Sequence, residues 1–178
     1  MPNDVPTPAG VVPLCLGALL ALVLACLLVA PTAAHGPPGL ALTHEELALC
    51  QLINGFRAQR GAPPVRASLT LTKAARWHSL DMAAHDRFSH VDSRGREFDE
   101  RIRSFGYTGP TMGENLAAGA EDARTMFEVL KNSPEHRRNM LRTKLKVIGG
   151  GRAYRAGTTF EWYWTTTFGG TRDRTHAC

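Results

Sequence analysis

His136 stands in Ser133-Pro134-Glu135-His136, which has the grammar of a helix start, with Ser as cap, Pro at the first helical position and the imidazole third. Near the positive end of a helix dipole an imidazolium is disfavoured, so a neutral ring results, able to ligate a metal or accept a proton. The bland reading of the same residues is a well-capped polar turn. His90 follows Arg87-Phe88-Ser89, where the aromatic side chain can anchor a loop and leave the imidazole free. His78 falls on an apolar stripe with Leu71, Ala74, Ala75 and Met82, the setting of a packed core histidine with one hydrogen bond. His44, His85 and His176 carry no signal. The chain has no Gly-x-Ser-x-Gly elbow, phosphate loop, dinucleotide fingerprint or His-Glu-x-x-His zinc helix.

The elements that must position these rings are legible from period and punctuation. Thr43 and Glu46 form a capping box ahead of Leu49, Leu52, Ile53 and Phe56, which predicts a helix over Glu45–Arg60 stopped by Gly61 and Pro63-Pro64. A second helix starts near Ser68 or Thr70 and runs to about His85. Phe98, Ile102 and Phe105 mark a short third one ending at Gly106, and Ala123, Met126, Phe127 and Leu130 a fourth over Glu121–Lys131. Met112–Gly119 is rich in small residues and reads as a short strand or extended loop. The period then changes: Val147–Tyr154 and Phe160–Phe168 read as two strands of a hairpin, with Phe160, Trp162, Trp164, Thr166 and Phe168 on one face. Helices first and a hairpin last predict an α+β domain.

The 178 residues carry 21 basic and 16 acidic side chains, unevenly spread. Between Asp4 and Glu45 there is no Asp, Glu, Lys or Arg, and Val11–Ala30 is almost wholly apolar. Such a run is a targeting or anchoring segment. Ala30-Pro31-Thr32-Ala33-Ala34 suits cleavage behind Ala34, although the preceding flank lacks the usual Lys or Arg. Retention as a membrane anchor and lipidation at Cys26 remain open beside cleavage. The organisation is thus a signal peptide or anchor over 1–34, a Gly/Pro linker over 35–43 and one domain over 44–178. Loss of the leader leaves Cys50 and Cys178, an even pair that in an exported domain is expected to be a disulfide; the alternative is two free thiols with Cys50 a buried helix residue. The excess of basic groups is scattered except at Arg137-Arg138 and Arg142-x-Lys144-x-Lys146. No nucleic-acid-binding motif accompanies them, so a solvated face or contact with anionic envelope polymers is the expectation. Membrane contact is expected only through an uncleaved leader.

Five blocks, His78-Ser79-Leu80-Asp81-Met82-Ala83, Phe88-Ser89-His90, Gly113-Glu114-Asn115-Leu116-Ala117, Asn132 to Leu141, and Tyr163 to Gly169, resemble in order and spacing the bacterial branch of the CAP superfamily of cysteine-rich secretory, antigen 5 and pathogenesis-related 1 proteins. Leu52-Ile53-Asn54-x-x-Arg57 resembles the branch's first helix. The resemblance implies a three-layer α-β-α sandwich around a small antiparallel sheet, with a cleft lined by histidines and acids. It maps His90 and Glu114 onto the first histidine and first acid of that cleft, while Ser133 and Tyr163 stand where the second acid and second histidine would be. His136 is expected to reach the same cleft. The implied role is a secreted or envelope-exposed binder of a lipid, glycan or protein, with no cofactor required. The alternative is an extracellular hydrolase of peptide or cell-wall material, with Glu114 as general base and His90, His136 and Glu114 able to hold zinc. A third reading is a structural envelope module with the three groups as a knot.

Overall fold

The protein is described by a computed structural model covering residues 41–171 and 173–178. The expected leader over 1–34 and most of the linker lie outside the described residues. Thr43 caps the first helix, α1 (His44–Gln59), through the reciprocal box read from sequence, its side chain accepting from Glu46 N and its own N–H donating to Glu46. A strand too short to leave a period, β1 (Arg66–Ser68), precedes α2 (Leu69–Ala84), and Ser68 serves as both the strand's last residue and the helix cap. Next come α3 (Phe98–Ser104), the strand β2 (Met112–Ala118), α4 (Ala123–Asn132) capped by Asp122, and α5 (Pro134–Leu141). Ser133 occupies the cap position of α5 without making a side-chain cap hydrogen bond. The hairpin strands are β3 (Val147–Tyr154) and β4 (Trp162–Gly169), and a two-residue β5 (Thr175–His176) closes the order.

Two sequence expectations need correction here. The second hairpin strand begins at Trp162 rather than Phe160, because Glu161 takes a left-handed φ of 59° and its carbonyl accepts from Arg155 N to close the turn. The sheet, ordered β2-β4-β3-β1-β5, is mixed rather than wholly antiparallel: β1 pairs with β3 in parallel. A crossover through α2 and the central segments brings the chain back to β3 in the direction of β1, which a hairpin cannot do.

The sheet separates two helical layers. On one face Thr165 and Thr167 of β4 point to α2, where the Ser79 hydroxyl donates to Thr165 and the Thr167 hydroxyl to the Leu71 carbonyl. On the other, Trp164 and Phe168 join the main core with Leu49, Ile53 and Phe56 of α1 and Met126, Phe127 and Leu130 of α4. Cys178 is bridged to Cys50, tying the chain's last residue to α1. Among the described residues no helix is long and apolar enough to cross a membrane.

The approach of α2 to β3 rests on glycine. A Cβ at Gly149 would fall on the backbone of Leu71 and Thr72, and one at Gly151 on that of Ala75 and Arg76. Backbone cannot step aside as a side-chain tip can, so Gly149→Ala is expected to cost about 3 kcal/mol, the upper part of the overpacking range. Urea unfolding measures it; a midpoint equal to wild type would show that α2 can lift freely.

Candidate functional site

Four elements meet at the exposed edge of β2. Glu114 is its third residue and pairs in register with Thr167, which places its side chain on the α2 face. Here it is almost wholly buried and accepts from His90 Nδ1 at 2.8 Å. A carboxylate only accepts, so this bond assigns the hydrogen to Nδ1 and leaves the His90 Nε2 lone pair directed elsewhere. The His90 side chain is 48% exposed. The second carboxylate oxygen of Glu114 is taken by Arg101 of α3, itself wholly buried, whose Nη1 also donates to the His90 carbonyl at 2.9 Å. One guanidinium therefore holds both members of the His90–Glu114 pair.

The loop carrying His90 is held at further points. His78 lies in the core, and its Nε2 donates to the Ser89 carbonyl at 2.9 Å. Asp81 accepts from both the amide and the hydroxyl of Ser93, and Asp92 accepts from the amides of Arg94 and Arg96. His78 is the core histidine its stripe suggested, and its single hydrogen bond fixes the residue next to His90. Burial holds its imidazole below the ordinary histidine range, with Glu114 opposing in part. A depressed histidine binds its proton more readily unfolded than folded. Stability is therefore complete above the unfolded value near 6.5 and declines as the pH falls below it. Melting temperature should fall from about pH 7 to about pH 5, and less in His78→Gln. Parallel curves for the two proteins would remove His78 as the source.

From the other face, α5 is pinned to β2 by asparagines. Asn115 donates to the His136 carbonyl at 3.0 Å, and Asn139 donates to Asn115 Oδ1 at 2.8 Å and to the Glu114 carbonyl at 3.2 Å. His136 is half-buried, its Nδ1 is enclosed without a hydrogen-bond partner, and its pKa is lowered by burial and then by the nearby charge of His90. The neutral ring expected from the helix dipole is thus obtained chiefly by burial. An open groove of about 370 Å³ runs along the edge, lined by His90, Glu97, Phe98, Met112, Gly113, Glu114 and Asn139.

The structure brings His90 and Glu114 into contact; His136 feels the charge of His90 but, against expectation, is not among the groove-lining residues. The structure does not bring Tyr163 to them. Register pairs Tyr163 with Ala118, four residues along β2 from Glu114 and so roughly 13 Å away at the rise of a strand. Its hydroxyl instead donates to Asp86 at 2.6 Å. Ser133 lies at the junction of α4 and α5 and is not among the groove-lining residues. Arg101, Asn115 and Asn139 join the site from outside the set of residues that the sequence points to. The signal for Arg101 was present: with Phe98, Ile102 and Phe105 it sits on the inner face of α3, and an arginine on an apolar stripe calls for a buried acid.

The donor set does not fit a three-ligand zinc site. Both Glu114 oxygens are held by Arg101 and His90, and His90 Nδ1 is spent on Glu114. That leaves two imidazoles, one short of the protein ligands of a hydrolytic zinc centre. Among the described residues no group of three or more His, Cys, Asp and Glu side chains is arranged to hold a metal.

Residues 50–168 match the model of the CAP, or cysteine-rich secretory protein, family. The uncharacterized protein YkwD of Bacillus subtilis is 35% identical over 107 residues, covering 60% of this chain; the match spans 41% of YkwD's own length. A structure described as an extracellular protein containing a SCP domain from Bacillus anthracis aligns with a TM-score of 0.64 at 23% identity, over 76% of this chain and 45% of that one. An outer surface protein from Borrelia burgdorferi aligns with a TM-score of 0.63 at 23% identity, over 70% and 91% of the two chains. The two solved structures share the three-layer fold found here.

Proposed function

The chain belongs to the CAP, or cysteine-rich secretory protein, family, and from that premise we propose that it is a secreted or envelope-exposed protein that binds a lipid, glycan or protein partner in the groove of His90 and Glu114. The observation that carries this reading is the pairing of His90 with a carboxylate whose other oxygen is already held by Arg101. That arrangement fixes the imidazole and leaves its Nε2 as an acceptor at an open groove, beside Asn139, Phe98 and Met112. It supplies one oriented polar contact and two apolar ones, which suits recognition. A hydrolase would need Glu114 as its base, and both Glu114 oxygens already accept hydrogen bonds, from His90 and from Arg101; no Ser, Thr or Cys is among the described residues that line the groove. Export is supported by the uncharged apolar leader and by the Cys50–Cys178 disulfide, which belongs to an oxidising compartment. The names of the Bacillus anthracis and Borrelia proteins point the same way.

Titrating the labelled protein with a lysophospholipid, a cell-wall oligosaccharide and a short peptide, followed by amide and imidazole chemical shifts, tests the reading. One of the three should move the resonances of His90, Met112 and Asn139 saturably, and His90→Ala should abolish the response. Shifts confined to other surfaces would defeat the proposal, and turnover lost in Glu114→Gln would favour the hydrolase. Zinc added in the same experiment should be retained no better by wild type than by His90→Ala/His136→Ala. The structural reading draws support from the burial of Arg101 and Glu114. It expects Glu114→Gln to lower the melting temperature while leaving any ligand response intact.

A further inference from the structure

The outer side of α5 and the five residues after it form a cationic surface that the groove does not use. Arg138, Arg142, Lys144 and Lys146 are all exposed, and Arg137 is half-buried beside them. From Val129 to Phe160 the only acidic residue is Glu135. Glu135 is 82% exposed and pairs with Arg138 at 3.2 Å, a solvated contact worth little. Arg142, Lys144 and Lys146 are in no ion pair among the described residues. Arg138, Arg142, Lys144 and Lys146 follow one another within nine residues, from α5 into the turn that Leu145 N closes on the Arg142 carbonyl, and Leu145 between the two lysines is buried.

We infer that this row is the docking surface for a linear polyanion whose charges are phosphodiesters, and that it holds the protein on that polymer whatever the groove itself binds. The occupant follows from the chemistry of the row. Four exposed cationic groups within nine residues, with one solvated acid beside them, offer more charge than a single compact anion can engage and match a flexible chain of repeating phosphates, which guanidinium forks and ammonium groups both bind. A bilayer is the poorer fit because nothing here can insert. Met140 faces the core, and the large exposed apolar side chains, Leu80, Phe88, Val129, Tyr154 and Phe160, all lie on other segments. A nucleic acid is the poorer fit because the row holds no aromatic ring on which a base could stack. Asn139, between Arg138 and Met140 on the same helix, lines the groove. None of Arg138, Arg142, Lys144 and Lys146 lines the groove, so a polymer held by them leaves it free, and surface retention and ligand binding are separable.

The test uses the full chain and labelled poly(glycerol phosphate), with fluorescence anisotropy at about 0.05 M and about 0.2 M salt. Wild type should bind saturably at the lower salt and weaken steeply at the higher. Arg138→Gln/Arg142→Gln/Lys144→Gln should bind at least about tenfold more weakly, because three counterion-releasing contacts are lost. The matched variant Lys73→Gln/Arg103→Gln/Arg124→Gln removes the same charge from exposed positions elsewhere and should stay within about twofold of wild type. Arg142→Glu alone carries the same expectation as the row variant and serves if the triple change folds poorly. Equal weakening of the two triple variants would reduce the effect to net charge and overturn the inference. So would absent binding by wild type, or tighter binding to phosphatidylglycerol vesicles or to single-stranded DNA. None of these outcomes touches the response of His90, so the groove reading stands or falls separately.

Discussion

Arg101→Met should cost the fold roughly 3 to 5 kcal/mol, the penalty for removing one partner of a fully buried ion pair. Arg101 is wholly buried and the Glu114 side chain is 1% exposed, so water cannot replace the lost donor. The variant would leave an interior carboxylate with His90 as its one remaining partner and would free the His90 carbonyl from its bond to Nη1. Replacing both groups, in Arg101→Met/Glu114→Leu, should be much less harmful than the single change, because no uncompensated charge remains. Urea unfolding of wild type, both single variants and the double variant gives the coupling directly. A single Arg101→Met protein with a wild-type midpoint would show that the pair contributes nothing to folding. The same loss should blur the groove, since the loop that presents His90 would be held by His78, Asp81 and Asp92 without the arginine.

Cys50→Ala/Cys178→Ala should be about as costly. The bridge spans a sequence separation of 128 residues, which corresponds to roughly 4 to 5 kcal/mol of loop entropy restored to the unfolded chain. The effect also has a local part. Cys178 packs against the core beside α1, and the two-residue β5 pairs with β1 just ahead of it, so release of the tail exposes an edge that β5 now covers. Guanidinium unfolding and amide exchange at Ala67 and Ser68 would measure the two parts. A loss under about 1 kcal/mol would mean that the tail is held by β5 and packing, with the covalent link redundant.

The sequence was informative wherever the controlling interaction is local. Thr43 and Glu46 are three residues apart, and the capping box they announce is present. The stripe through Ala74, Ala75, His78 and Met82 identified both a helix and the buried histidine upon it, since residues three and four apart share a face. Cys50 and Cys178, the two cysteines beyond the expected leader, were the expected pair, and the bridge is present. The five blocks that resemble a known family carried the three-layer architecture nearly whole. Boundaries were less secure where two elements compete for one residue, as at Ser68, which ends a strand and caps a helix, and at Glu161, where a left-handed turn displaces the start of β4.

The site was legible in its chemistry and not in its wiring. His90, Glu114 and His136 were nameable, but the residue that joins the first two is Arg101, on a different helix, and the residues that dock the third are Asn115 and Asn139. Tyr163 illustrates the limit from the other direction. The motif put it at the cleft, and cross-strand register puts it opposite Ala118. Helix periods and caps are written within a few positions of the chain, so the sequence alone determined which segments are helices and which histidine is core, and it named the two sulfurs whose bridge the structure shows. Strand order, the parallel pairing of β1 with β3 and the engagement of both Glu114 oxygens depend on which distant segments pack together. No short-range pattern encodes those choices, and only the tertiary structure made them.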